Sequence, residues 1–226
     1  MGAFEAFYAS ALQHPVLLWV AASLALLSCV ARRDLDPSVK GYCAILTALS
    51  LADAWLTSTH VYGVGALPDG VARVVSVFFV LAGDYRYLLL LFAATREGGI
   101  QATPRALVAA AILTAIVPLG SQAVVAWLPA AQGEPRMLFL VYEVAFFVLA
   151  SVLAVWHWRT RRAPWLLPVT ACVLLTYALW AAADAILLAT GSDTGFGVRV
   201  VANLLYYGGL VAVIGWAAER GARQAS

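Results

Sequence analysis

Charged side chains are scarce in this chain. Asp, Glu, Lys and Arg make up 12% of its 226 residues, whereas a soluble domain carries about 25%. The hydrophobic share is high, at 63%. This composition excludes an ordinary soluble domain and indicates an integral membrane protein, with the lipid bilayer as its main partner. The net charge of +2 is too small to indicate a nucleic-acid partner.

Cysteine is also rare, and its positions exclude two further classes of site. Cys29, Cys43 and Cys172 all lie inside apolar runs, so we predict small core residues and no disulfide framework. Their spacing matches no metal-ligand motif, and we predict neither a metal site nor another cofactor. The N-terminus lacks a positively charged segment and carries Glu5, so we do not expect a cleavable signal peptide.

Apolar runs fill most of the chain, and seven of them reach the length of about 20 residues that a bilayer-spanning helix needs. Clusters of Pro, Gly and Asp separate these runs, as is typical of loops. We therefore predict an all-α integral membrane fold with seven transmembrane helices and no separate soluble domain. The predicted spans are residues 11–31, 41–61, 72–95, 105–128, 137–158, 165–190 and 198–218.

Basic residues are distributed unequally between the two sides of the predicted bundle. Three of them, Arg73, Arg136 and Arg199, lie on the side of the N-terminus. Because cytoplasmic loops are rich in Lys and Arg, we predict that the N-terminus is outside and the C-terminus is cytoplasmic. The ten basic residues on the predicted cytoplasmic side are Arg32, Arg33, Lys40, Arg96, Arg105, Arg159, Arg161, Arg162, Arg220 and Arg223.

Short sequence matches between the two halves indicate an internal repeat. The matching segments are 43–47 with 172–176, 52–54 with 183–185, and 70–75 with 197–201. Because the offset spans four helices, the two repeats would run parallel. We predict one membrane domain over residues 1–226, made of repeat 1 (about 11–97), a linking helix (about 105–128) and repeat 2 (about 137–220).

This 3+1+3 plan resembles the architecture of SWEET and PQ-loop transporters, and the one proposed for microbial rhodopsins. The resemblance covers the whole chain but rests on topology, and the Pro-Gln dipeptide of PQ-loop proteins is absent. It implies a bundle that transports a small solute or senses a ligand. Retinal proteins need a Schiff-base lysine in the seventh helix, whereas the only lysine here is Lys40, in a predicted cytoplasmic loop. A retinal Schiff base is therefore excluded.

Several polar residues lie inside the predicted spans, where a charge costs about 2.5–3.5 kcal/mol at the bilayer centre. Counting along the helices places Asp53 and Asp84 near the midplane, and His60 at the outer end of the second span. The outer third contains Glu143, Asp184, Asn203, Tyr206 and Tyr207. Polar groups therefore concentrate toward the outside, which predicts either an outward-open cavity or a closed polar plug.

Asp84 and Arg86 are two residues apart, so they point to different sides of one helix and should not pair with each other. We expect Arg86 to reach a carboxylate on another span, either Asp53 or Asp184. The repeat makes those two aspartates equivalent, facing each other across the core. Together with aromatic residues such as Tyr177, these side chains could line a pocket for a small cationic or polyhydroxyl ligand.

Three functions stay open from the sequence. The first is a small-solute transporter in which the intramembrane acids bind the solute or couple transport to protons. The second is a lysine-less, rhodopsin-like receptor or sensor for a small ligand. The third is a membrane-embedded enzyme acting on a lipid or isoprenoid, for which no catalytic residue can be assigned. The ligand and the oligomeric state are not determined, and a homo-oligomer stays open.

Overall fold

A computed structural model describes residues 1–60, 67–128, 134–160 and 163–225. It contains seven helices that are long and apolar enough to cross a membrane, and no strand occurs in these described ranges. The predicted all-α, seven-helix membrane fold is thus confirmed. In chain order the first to seventh spans are Leu12–Val30, Pro37–Leu56, Gly70–Ala93, Pro104–Trp127, Arg136–Thr160, Leu166–Thr190 and Thr194–Gln224.

The second span differs most from its predicted limits. It starts at Pro37 rather than residue 41, and ends at Leu56 rather than residue 61. The Asp36 side chain accepts a hydrogen bond of 2.8 Å from the Ser38 amide and caps the helix. Pro37 occupies the first turn, where its missing N–H costs nothing. The Asp36-Pro37 pair is one of the Pro and Asp clusters that predict a loop, but it marks the start of a helix.

Two spans depart from regular α-helix. The first span kinks within Leu12–Leu17, where Pro15 lies inside the helix and His14 has non-helical dihedral angles. In the seventh span the π-helical turn is Leu205–Gly209, between the α-helical segments Thr194–Leu204 and Leu210–Ala225. Such turns change which way the following side chains face, and they often occur at functional sites.

The spans pack into a ring in sequence order. Each span contacts the next, and the seventh closes the ring against the first and second. At that closure Gly208 approaches the first span so closely that a Cβ would lie 2.8 Å from the Ala21 carbonyl oxygen. Large apolar side chains on the outer surface remain exposed, as expected for contact with lipid; they include Leu24, Leu27, Val74, Leu119 and Val152.

The two ends of the bundle have different polar contacts. At the N-terminal face a short helix, Ala3–Tyr8, is tied to the start of the seventh span. The Asp193 carboxylate there accepts hydrogen bonds from the Phe4 amide at 3.0 Å and the Glu5 amide at 2.6 Å. At the C-terminal face Arg32 forms an ion pair with Glu219. The structure thus distinguishes two faces, and their assignment to outside and cytoplasm stays a prediction.

The charge asymmetry and the internal repeat, both derived from the sequence, also stay predictions. Arg161 and Arg162, which contribute to the expected charge asymmetry, lie outside the described residues. The 3+1+3 repeat agrees with the number of spans but is not tested by their packing.

Candidate functional site

A cavity of about 520 Å³ opens inside the ring, toward the N-terminal face. Exposed residues there, Ala9, Thr59 and His60, form part of its lining, so it reaches the protein surface. Val80 on the third span and Phe139 on the fifth also line it and are exposed on the outer surface of the bundle. The volume lies within the range of about 300–1,000 Å³ typical of small-molecule sites.

Aromatic side chains form a continuous wall of this cavity across the sixth and seventh spans. The ring centroids of Tyr177 and Trp180 are 5.3 Å apart, and those of Trp180 and Tyr206 are 4.9 Å apart. Tyr207 continues the series at 5.0 Å from Tyr206. The Trp180 Nε1 donates a hydrogen bond of 2.9 Å to the Asn203 Oδ1, which holds the indole in place. Such a wall offers both apolar area and ring faces to a ligand.

Asp53 lies in the last turn of the second span, three residues before Leu56. Its predicted depth near the midplane is therefore wrong, because the helix ends five residues earlier than expected. The buried carboxylate accepts hydrogen bonds from the Tyr207 hydroxyl at 2.9 Å and the Thr57 hydroxyl at 3.3 Å. Within the described ranges it forms no ion pair, although it lines the cavity.

A charge cluster made of Arg136, Glu143, Asp184 and Arg199 lies beside the cavity. Asp184 is fully buried and accepts two hydrogen bonds from Arg199, at 2.9 Å and 2.6 Å. Arg136 contacts the same carboxylate at 3.2 Å. Arg199 also contacts the Glu143 Oε1 at 3.2 Å, which links the fifth, sixth and seventh spans. The two hydrogen bonds from Arg199 to Asp184 form the bidentate pairing that makes Arg–carboxylate contacts strong.

The sequence prediction missed the two arginines of this cluster. From the sequence, Arg136 and Arg199 lie at the ends of predicted spans and count only for orientation. In the structure Arg136 belongs to the first turns of the fifth span and Arg199 to those of the seventh, at the same level as the acids. The shared depth of these arginines and acids could have signalled the pairing, since a buried charge is stabilised by an opposite charge nearby.

Asp84 and Arg86 lie deeper and make separate contacts. Asp84 accepts hydrogen bonds from the hydroxyl groups of Tyr142 and Tyr177, on the fifth and sixth spans. Asp84 is 15 residues after Asp69, where the third helix starts, and nine before its end at Ala93. These contacts satisfy a buried carboxylate with two neutral donors rather than with a cation.

Arg86 has different partners from those we expected. It donates to the Ser50 hydroxyl at 3.1 Å and to the Tyr206 carbonyl oxygen at 2.8 Å. Its guanidinium carbon also lies 3.7 Å from the centre of the Tyr206 ring. In the described part of the chain it forms no ion pair, so the predicted pairing with Asp53 or Asp184 is wrong. The carbonyl oxygen and the ring face of Tyr206 take the place of the expected carboxylate beside the Arg86 guanidinium.

Arg86 and Asp53 nevertheless border the same small space. A cavity of about 10 Å³ lies between the second, third and seventh spans, with both side chains in its lining. That is about the smallest volume that holds one water molecule. The two charged side chains therefore lie near each other without a direct contact.

Asp84, Arg86, Tyr142, Tyr177 and Tyr206 together form a polar layer that closes the cavity on the side away from the N-terminal face. The three tyrosines line the cavity, and the two charged residues lie behind them. Below this layer the bundle is tightly packed with fully buried side chains; they include Leu88, Phe146, Val169, Val211 and Ile214. The cavity therefore ends part of the way through the bundle.

Of the ten residues predicted for the site, seven line the cavity: Asp53, His60, Glu143, Tyr177, Asn203, Tyr206 and Tyr207. The other three lie one contact away. Asp184 binds Arg199, Asp84 binds Tyr142 and Tyr177, and Arg86 contacts Tyr206. Their proximity is a structural observation, whereas a binding role for them stays a prediction.

His60 is exposed at the mouth of the cavity. Its Nε2 lies 2.7 Å from the Ala9 carbonyl oxygen, which orients the imidazole toward the N-terminal segment. In the ranges that the structure describes, no three His, Cys, Asp or Glu side chains are placed to hold a metal ion. His60 therefore contributes a polar group to the cavity entrance.

Comparisons with family models, with curated proteins and with solved structures find no match to this chain. The resemblance to SWEET, PQ-loop and microbial-rhodopsin proteins thus stays a prediction from topology. The fold and the site define a multi-pass, seven-helix membrane protein with a polar and aromatic cavity at one face.

Proposed function

We propose that this protein transports a small solute across the membrane and binds it in the 520 Å³ cavity. The observation that supports this proposal best is the polar layer directly beneath the cavity. A site open at one face and closed by polar side chains at mid-bundle matches one state of an alternating-access cycle. On this view the N-terminal face is the outside, as the distribution of basic residues predicts.

The polar layer has the properties expected of an inner gate. Arg86 is held by a serine hydroxyl, a backbone carbonyl and a ring face, and not by a carboxylate. Asp84 is held by two tyrosine hydroxyls from other spans. Each contact can be replaced by another of similar strength when the spans move, because no buried ion pair has to be broken. Protonation of Asp53 or Asp84 would offer a route for coupling to protons.

The test is uptake into proteoliposomes of a panel of labelled small solutes, with and without a proton gradient. For any solute that is taken up, Asp84→Asn and Arg86→Ala should lower the initial rate at least about tenfold, which requires only about 1.4 kcal/mol. Arg96→Ala, in an exposed position after the third span, is the control and should leave uptake unchanged. Unaltered uptake in both layer variants would contradict the proposal.

A receptor or sensor is the second candidate, and the closed lower half of the bundle favours it. A cavity that opens toward one face of the bundle is also what a ligand sensor needs. The two functions differ in one measurement. A receptor would bind its ligand saturably without moving it into proteoliposomes, whereas a transporter would do both.

A further inference from the structure

We infer that the cavity takes an organic monocation, with its charged head at Glu143 and Asp53 and its apolar part against the aromatic wall. This inference rests on the proposed function, because it names the class of solute for the same site. Both carboxylates line the cavity, and so do Tyr177, Trp180 and Tyr206. The following observations distinguish a cation from a neutral or anionic solute.

Glu143 has one oxygen that lacks a partner. Its Oε1 contacts Arg199 at 3.2 Å, whereas its Oε2 is buried and has no hydrogen-bond partner among the described residues. The whole residue is 5% exposed. A buried acceptor without a partner is unfavourable, because it has lost its hydrogen bonds to water. Because Glu143 lines the cavity, a rotation of its carboxylate would bring this oxygen to a cationic head there.

The arginine at the cavity is already occupied. The Arg199 Nε and Nη2 donate to Asp184, the Nη2 also contacts Glu143, and the Nη1 lies 3.5 Å from the Tyr8 hydroxyl. Four of the five N–H groups of this guanidinium thus face a protein partner, and two of those partners are carboxylates. An anionic ligand would meet that negative charge with a single N–H left to bind it, which makes it a poor match for the site.

The formal charges of the site leave one negative charge over. The charge cluster contains Glu143 and Asp184 against Arg136 and Arg199, which balance. Asp53 and Asp84 both lie near one further cation, Arg86, which forms an ion pair with neither in the described ranges, so one negative charge is left over. Of the two acids Asp53 lines the cavity, and its partners there are hydroxyl donors. In its ionised form it is neutralised by a single positive charge, which indicates a monocation rather than a dication.

The aromatic wall complements such a ligand. The faces of tyrosine and tryptophan rings attract cations, and the attraction is strongest where water is excluded. The protein already uses one of these faces in this way, since Arg86 lies 3.7 Å from the centre of the Tyr206 ring. Trp180 is fixed by its bond to Asn203 and needs no reorganisation to receive a ligand. Aromatic area also accommodates the alkyl or aryl part of the solute.

Binding to the purified full-length protein, reconstituted in nanodiscs, tests the inference by isothermal titration calorimetry. The probes are choline and its neutral isostere 3,3-dimethyl-1-butanol, together with benzyltrimethylammonium and the anion benzoate. We expect at least one of the two cations to bind saturably, and at least about tenfold more tightly than the neutral and anionic probes. Absence of saturable cation binding, or equal affinity for the neutral isostere, would overturn the inference.

Two variants locate the bound charge. Glu143→Gln and Asp53→Asn keep the size of each side chain and should each weaken cation binding at least about fivefold, while binding of the neutral probe stays the same. Glu97→Gln removes an exposed acid after the third span and is the matched control. If both cavity variants bound the cation like the control, the inference would be wrong.

The outcomes also separate this inference from the proposed function. Cation-selective binding without uptake into proteoliposomes would support the inference and contradict transport. Uptake of a neutral or anionic solute, blocked by the layer variants, would support transport and contradict the inference. The wild-type comparison of probes needs no substitution, so a variant that fails to fold leaves the test intact.

Discussion

Two buried aspartates at the N-terminal end of the bundle have different partners. Asp184 binds two arginines, whereas Asp53 receives hydrogen bonds from the hydroxyl groups of Tyr207 and Thr57. The first is neutralised within the protein and the second retains capacity for a ligand. If the predicted repeat makes the two residues equivalent, only Asp53 has a carboxylate that is not paired with an arginine.

Asp184→Asn should be among the most destabilising single substitutions at this face. It leaves the guanidinium groups of Arg136 and Arg199 without their shared carboxylate, which costs about 3 kcal/mol when a buried pair is broken. Asp34→Asn removes the acid of an exposed pair with Arg223, and should cost below about 1 kcal/mol. The free energy of unfolding, measured by denaturant titration in mixed micelles, distinguishes them. Equal losses would show that the charge cluster has no structural importance.

At the scale of the helix, the closure of the ring depends on a close approach between the first and seventh spans. Gly208 lies in the π-helical turn and faces the backbone of Ala21. In the third span Gly83 has a related role, since a Cβ there would clash with the Tyr206 hydroxyl. These contacts determine how far the seventh span enters the ring, and therefore where Tyr206 and Tyr207 lie in the cavity.

Gly208→Ala should destabilise the bundle by about 1–3 kcal/mol, because the added Cβ meets a backbone carbonyl that cannot move aside like a side chain. Gly120→Ala, in the fourth span, is the matched control. No heavy atom lies within 4 Å of a Cβ at that position. It should leave stability unchanged or raise it by up to about 1 kcal/mol, since alanine favours a helix. A thermal unfolding series that ranked the two variants the other way would refute the close approach.

The limits of the spans show how far local chemistry can be predicted. Apolar length located all seven helices, and turn residues separated them. Interpreting Asp36-Pro37 as a break shifts the predicted limits of the second span toward the C-terminus. The same pair is a good N-terminal cap, and the helix starts there. That displacement was enough to misplace Asp53 by more than one helical turn in depth.

At the scale of the whole molecule, the two faces differ in their basic residues, and this asymmetry predicts the orientation in the membrane. Lys40 is the only lysine and lies in the second span near its start, at the C-terminal face. The N-terminal helix lies at the opposite face with the cavity. Orientation therefore decides which compartment supplies the ligand.

A membrane-impermeant amine reagent should modify Lys40 in inside-out vesicles and leave it unmodified in right-side-out vesicles. Peptide mapping by mass spectrometry distinguishes the lysine from the N-terminal amine. Lys40→Arg removes the reactive amine but keeps the charge, and is the control for the assignment. Modification of Lys40 in right-side-out vesicles would place the cavity on the cytoplasmic side.

The sequence alone is sufficient to predict the class of fold, because each apolar run is long enough to satisfy its own backbone hydrogen bonds as a helix inside lipid. It also placed the polar residues at about the right end of the bundle, since depth follows from counting along a helix.

Which polar groups contact each other depends on how the helices pack. The partners of Arg86 lie 36 and 120 residues away along the chain, and helix rotation and tilt decide whether they come within reach. Those variables depend on packing between spans, such as the contact of Gly208 with the first span. Helix rotation and tilt have no local signal in the sequence. They determine the geometry of the cavity, the charge cluster and the polar layer.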